Sequence, residues 1–174
     1  MGFVLEFWET IRDFLESGGE VLLLIMATTF ILWTLILERY WYFRKVYPAE
    51  KAAIISKWMS RSDRTSWNAH RIRESMISDA SIKLKHSIGF IKTLVAVCPL
   101  LGLMGTVTGM ISVFDVMAVT GTGNARLMAS GITLATVPTM AGMVASLSGL
   151  YFGARLEKLS LYAKDQLSEN LPAN

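Results

Sequence analysis

The chain has 174 residues, of which 52% are hydrophobic and 18% charged, with a formal net charge of +3 and a single cysteine. Those proportions argue against a soluble domain, and one cysteine allows neither a disulfide nor a thiolate metal cluster. Three long apolar runs with their helical extensions leave little of the length over, so one membrane domain and no large soluble one is expected.

Residues 1–20 come first. Val4, Phe7, Trp8, Ile11, Phe14 and Leu15 share one helical face, with Glu6, Glu9, Asp13 and Glu16 off it. That spacing describes an amphipathic helix lying on the outer surface of the bilayer, or else packed against a partner protein. Gly18 and Gly19 supply the bend into the first apolar run. That run, 21–37, is flanked by Glu20 on one side and Glu38 and Arg39 on the other. Its flank is acidic and no small-residue cleavage site comes after it, so it reads as a membrane helix and not as a removable signal. This first span is expected over 21–47, with a polar extension that Pro48 ends. Tyr40, Trp41, Tyr42 and Phe43 then form an interfacial belt beside Arg39, Arg44 and Lys45.

Residues 48–92 read as a helical region: a short amphipathic segment over 49–59, a polar turn over 60–66, and a helix from Trp67 to His86. That helix leads into the second span without a strong breaker, Gly89 being its weakest point. The run 93–114 is the second span, 115–126 a loop, and 127–170 a third span with a polar extension that closes before Pro172. Neither apolar run, 93–114 or 127–154, contains an Asp, Glu, Lys, Arg or His. Each exceeds the roughly 20 residues that a helix needs to cross a hydrocarbon core. The fold class is therefore all-α: three membrane helices extended into the aqueous phase.

Charge sets the orientation. Between Arg39 and Lys92 there are 12 Lys or Arg against four carboxylates, a net of +8, whereas residues 1–20 hold Arg12 against five, a net of −4. Basic residues collect on the cytoplasmic side, so the loop 48–92 and the segment after Arg155 are expected inside and the N-terminus outside. Contact with the bilayer and its anionic lipids accounts for the basic loop, and no nucleic acid is called for.

Catalytic chemistry has little to stand on. His70 and His86 lie in the basic loop without metal-ligand spacing, and the glycine-rich pieces around Gly102 and Gly121 lack the lysine and the strand of a phosphate loop. Neither a metal, a cofactor nor an enzyme activity is expected. The small residues do form a pattern. Gly102, Gly105 and Gly109 mark the second span, and Gly131, Ala135, Pro138, Gly142, Ala145 and Gly149 make a nearly continuous stripe along the third. Such stripes let helix backbones approach closely in lipid, here in an oligomer. Thr106 and Thr108, then Thr133, Thr136 and Thr139, supply the polarity of the spans. A membrane threonine usually spends its hydroxyl on a carbonyl one turn back, but Pro138 frees the carbonyl near Leu134, and neighbouring hydroxyls or water could answer it. Proton relays commonly use intramembrane carboxylates or histidines. With none in these spans, a proton path would need a titrating group from a partner.

Leu100-Leu-Gly-Leu-Met-Gly-Thr-Val-Thr-Gly109 resembles the second-span signature of the ExbB/TolQ/MotA proton-channel family. Gly131-Ile-Thr-Leu-Ala-Thr-Val-Pro-Thr-Met-Ala-Gly142 resembles its third-span signature. Three spans and a large inner loop are similar to ExbB and TolQ, as against the four-span flagellar stator subunit. The resemblance implies a homopentamer in the bacterial inner membrane, enclosing single-span helices of an ExbD-type partner. That partner's membrane aspartate titrates as protons pass, and the motion is handed to a TonB-type protein that energises outer-membrane import of iron complexes and cobalamin. By motif position it makes Thr106 and Thr139 pore threonines facing the aspartate, with Thr133 and Thr136 in the same cluster. One departure stands out: many members carry a glutamate five residues before the third-span threonine, where this chain has Leu134. Two rivals share these features, a TolQ-like subunit for envelope integrity and a passive membrane assembly protein whose glycines and threonines only pack.

Overall fold

The computed structural model describes residues 2–121 and 125–172, and all regular structure among them is helical. The elements are α1 (Gly2–Trp41), a five-residue π-helical turn (Tyr42–Val46), α2 (Tyr47–Met59), α3 (Trp67–Lys85), α4 (Ile88–Thr120) and α5 (Ala125–Glu169). Three stretches, within Gly18–Met59, Trp67–Val119 and Met128–Glu169, are long and apolar enough to cross a membrane. The chain is thus an all-α multi-pass membrane protein. It divides into two compact units: one from the segments up to Trp33 and from Thr93 to Leu150, the other from Thr34 to Lys92 and from Tyr151 onwards.

In the first unit, α1 breaks at Gly19, whose φ of 64° and ψ of −165° lie in a region essentially reserved for glycine. Apart from Glu9 and Arg12, both exposed, the side chains of residues 2–17 that carry the amphipathic pattern lie outside the described residues. Beyond the break, Val21, Leu22, Ile25 and Leu32 are buried along one helical stripe, while Leu23, Leu24, Met26, Phe30 and Ile31 point outward. α4 does not stop at Phe114. It runs on to Thr120, because residues 112–120 contain no breaker, so most of the stretch expected as loop is helix. Gly121 ends it with a φ of 75°, its amide N–H donating a hydrogen bond to the Met117 carbonyl at 2.9 Å.

The second unit departs from expectation at two joints. Pro48 does not terminate the first helix. It sits in the first turn of α2, where a missing N–H costs little, and the π turn carries the chain into it, with the Tyr47 amide reaching back to the Tyr42 carbonyl. Between α3 and α4 the break falls at Ser87, at a φ of 63°, whereas Gly89 lies inside α4. The His86 ring nitrogen Nδ1 is 2.9 Å from the Ser87 hydroxyl there. His70 and His86 are both exposed.

Trp58 anchors this unit. It is fully buried with Ala69, Ala80, Leu167 and Leu171, and its indole N–H donates to the Pro172 carbonyl at 3.1 Å. Tyr47 packs with Leu84 and Ala163 and donates to the Ala163 carbonyl at 2.7 Å. Arg73 on α3 donates to the carbonyls of Leu171 and Ser168, at 2.6 and 2.8 Å, and so satisfies the C-terminal end of α5. At the other edge Arg39 is 3% exposed, its guanidinium over the Tyr42 ring at 5.1 Å and near the Glu38 carboxylate at 3.7 Å. The Tyr42 hydroxyl donates to Glu50 at 2.7 Å, and Glu50 pairs with Lys83 at 3.5 Å, which links the π turn to α2 and α3.

Candidate functional site

The residues singled out in the second and third spans meet along one antiparallel seam between α4 and α5, inside the first unit. Glycine makes the seam possible. A Cβ on Gly109 would stand 2.6 Å from the Ala135 Cα, one on Gly105 would stand 2.5 Å from the Pro138 ring, and one on Gly102 would stand 2.9 Å from the Thr139 Cα. On α5, a Cβ on Gly131 would run into Val113, and one on Gly142 would come within 2.6 Å of the Cys98 carbonyl oxygen. Real Cβ atoms do not approach this closely. The small-residue stripe therefore packs α4 and α5 of one chain against each other.

The threonines do not all behave alike. Thr106 donates to the Leu103 carbonyl at 2.7 Å, and Thr108 to those of Gly105 and Met104 at 3.1 and 3.2 Å. Thr133 donates to Ala129 at 3.1 Å, and Thr136 to Ile132 and Thr133 at 3.1 and 3.3 Å. Each of these is the local bond usual for a membrane threonine. Thr139 is different: its hydroxyl crosses the seam and donates to the Gly102 carbonyl at 2.9 Å. It is half-buried, at the border between the seam and an exposed face of α5 that carries Thr136, Met140, Met143 and Leu147. Thr133 and Thr136 stand on that exposed face, outside the contacts that join the helices. A threonine whose hydrogen is given to a carbonyl keeps its oxygen lone pairs, so all of these side chains present acceptors.

A second cross-helix bond is not anticipated by the sequence pattern. Ser146 on α5 donates to the Val95 carbonyl of α4 at 2.9 Å. Pro99, inside the second span, is the available signal, because a proline there deprives the carbonyl four residues earlier of its amide. Among the described residues no group of three or more His, Cys, Asp or Glu is placed to hold a metal. The seam is a packed, uncharged wall edged with hydroxyl oxygens.

Residues 48–169, which hold this seam and most of the second unit, match the MotA/TolQ/ExbB proton channel family. The chain belongs to that family. It is similar to a putative biopolymer transport protein called ExbB-like 1 from Synechocystis sp., with 38% identity over 71 residues, a stretch that takes up 39% of this chain and 28% of that protein. This chain therefore aligns with less than a third of that relative's length. Thr139, whose hydroxyl crosses the seam, borders the exposed face of α5.

Proposed function

We propose that this proton channel subunit is of the ExbB type and works in the bacterial inner membrane. The N-terminus and the junction between α4 and α5 face the periplasm, and the basic region 48–92 and the segment after Arg155 face the cytoplasm. In this reading five copies surround the membrane helices of an ExbD-type partner, and a carboxylic acid on that partner titrates as protons pass. The resulting motion drives a TonB-type protein and, through it, import across the outer membrane. The observation that carries the proposal is the cross-seam placement of Thr139 in a wall free of charged side chains. Its hydroxyl hydrogen is committed to Gly102, so its oxygen offers an acceptor to a protonated partner acid. Thr106, Thr133 and Thr136 present acceptors of the same kind.

The test is growth on a chelated iron source in cells whose one ExbB-type subunit is this chain or its Thr139→Val form, with the ExbD-type partner co-expressed. A membrane hydrogen bond of this sort contributes on the order of 0.6–2 kcal/mol, too little to decide folding of a three-span protein. Thr139→Val should therefore co-purify with the partner yet fail to support iron-dependent growth, and Thr139→Ser should grow like the parent. Normal growth of an assembled Thr139→Val variant would make Thr139 a packing residue and remove it from the proton path. A strain that imports iron normally but leaks periplasmic protein without this subunit would favour the TolQ-like rival.

A further inference from the structure

Pro99 lies inside α4. Its ring carries no amide hydrogen, so the Val95 carbonyl has no donor at the usual place within its own helix. In hydrocarbon such a carbonyl cannot turn to water instead. Ser146, on the other helix, donates to that carbonyl at 2.9 Å.

This is unusual behaviour for a serine in these spans. Ser148, two residues on, turns back to the Ala145 carbonyl at 2.8 Å, and Ser112 to the Thr108 carbonyl at 3.2 Å. Ser146 reaches across because the backbones are close there. A Cβ on Gly142 would stand 2.6 Å from the Cys98 carbonyl oxygen, and one on Gly149 would stand 2.6 Å from a Val95 methyl.

The bond also has a counterpart. Thr139 donates to Gly102 in the same manner. Ser146 follows Thr139 by seven residues, and Gly102 follows Val95 by seven. On antiparallel helices those equal steps, about two turns each, place both bonds along one seam in a single register.

We propose that Ser146 is a positioning residue: its hydroxyl replaces the amide that Pro99 lacks, and with the Thr139 bond it fixes α5 against α4 in one register. The claim goes beyond the proton-channel reading and does not depend on it, because it concerns a hydrogen bond whose partner is known.

If Ser146 substitutes for a missing amide, restoring the amide should make the hydroxyl dispensable. The full-length chain, purified in detergent, would be compared as parent, Ser146→Ala, Pro99→Ala and the double variant, each followed by the temperature at which its chromatographic peak is lost. Ser146→Ala should lower that temperature. Pro99→Ala should melt no lower than the parent. In the double variant the amide restored at position 99 reaches the Val95 carbonyl, so the loss caused by Ser146→Ala should be largely recovered. The inference is overturned if Ser146→Ala melts with the parent, if Pro99→Ala alone is unstable, or if the double variant is no better than Ser146→Ala. Failure of the iron-growth test would leave these outcomes unaffected, so the two ideas can fall separately.

Discussion

The Asp63 carboxylate accepts the Ser66 hydroxyl hydrogen and the amides of Ser66 and Thr65, at 3.1 and 3.3 Å, while Ser66 itself caps α3 by accepting from the Ala69 amide. These bonds, the Ser66 hydroxyl first, hold its carboxyl below the usual carboxylate range. A carboxylate depressed in the folded state stabilises at pH above its unfolded value, about 3.9, and the contribution fades as pH falls through the lower folded value. Amide protection at Ser66 and Ala69, taken relative to the intrinsic exchange rate at each pH, should accordingly hold at neutral pH and fall on acidification below about pH 4. Asp63→Asn should already exchange faster at neutral pH and show no further acid step; an unchanged profile in that variant would remove Asp63 from the cap. At this scale the sequence is only partly readable. A polar turn over 60–66 is plain from composition, whereas the Ser66 cap emerges only from the structure. The left-handed Ser87 is not plain either, because nothing about a serine marks that conformation, and the adjacent Gly89 draws attention to the wrong residue. Thr139 poses the same difficulty. A local bond and a cross-helix bond look alike until the register of the two helices is known.

α4 and α5 form an element pair in which backbone meets backbone. Gly142→Leu would drive a side chain against the Cys98 carbonyl, and overpacking of this kind costs about 1–3 kcal/mol even in cores that can adjust. Here the obstacle is backbone, so the yield of folded subunit should fall sharply, before any question of oligomer assembly. Gly153→Ala is the control, since its Cβ would meet an Ile91 methyl at an ordinary 3.6 Å. Membrane expression and thermal stability of the two variants measure the difference. Equal behaviour would mean that the seam relaxes easily. The stripe itself was legible from three- and four-residue spacing, but its partner was not, since small-xxx-small spacing looks the same whichever helix fills it. Pro48 teaches a related lesson. A proline after an aromatic belt reads as a stop, yet a π turn shifts the hydrogen-bond register and makes it a start.

Across the whole molecule, three spans and a basic helical region are written in apolar run length and charge, because lipid imposes both strongly on sequence. What joins distant segments is less visible. Trp58, in a stretch legible only as a short amphipathic helix, buries its ring against Leu167 and Leu171 and binds the Pro172 carbonyl, so α2 and the end of α5 depend on each other. Removing such a ring costs about 3–5 kcal/mol. Trp58→Ala should open the second unit, seen as faster proteolysis between α2 and α3, while Trp58→Phe keeps most of the packing and should lose only the N–H bond. Equal protease resistance of Trp58→Ala and the parent would show that the unit is held by its other contacts, those of Tyr47 and Arg73 among them.

The complete burial of Cys98 has a practical side. A thiol with no exposed surface is out of reach of maleimides, so the natural sequence already serves as a silent background for single-cysteine labelling. A reporter cysteine placed at Thr133 or Thr136, on the exposed face of α5, would be the site that answers, and its rate of modification would track what covers that face as the channel works.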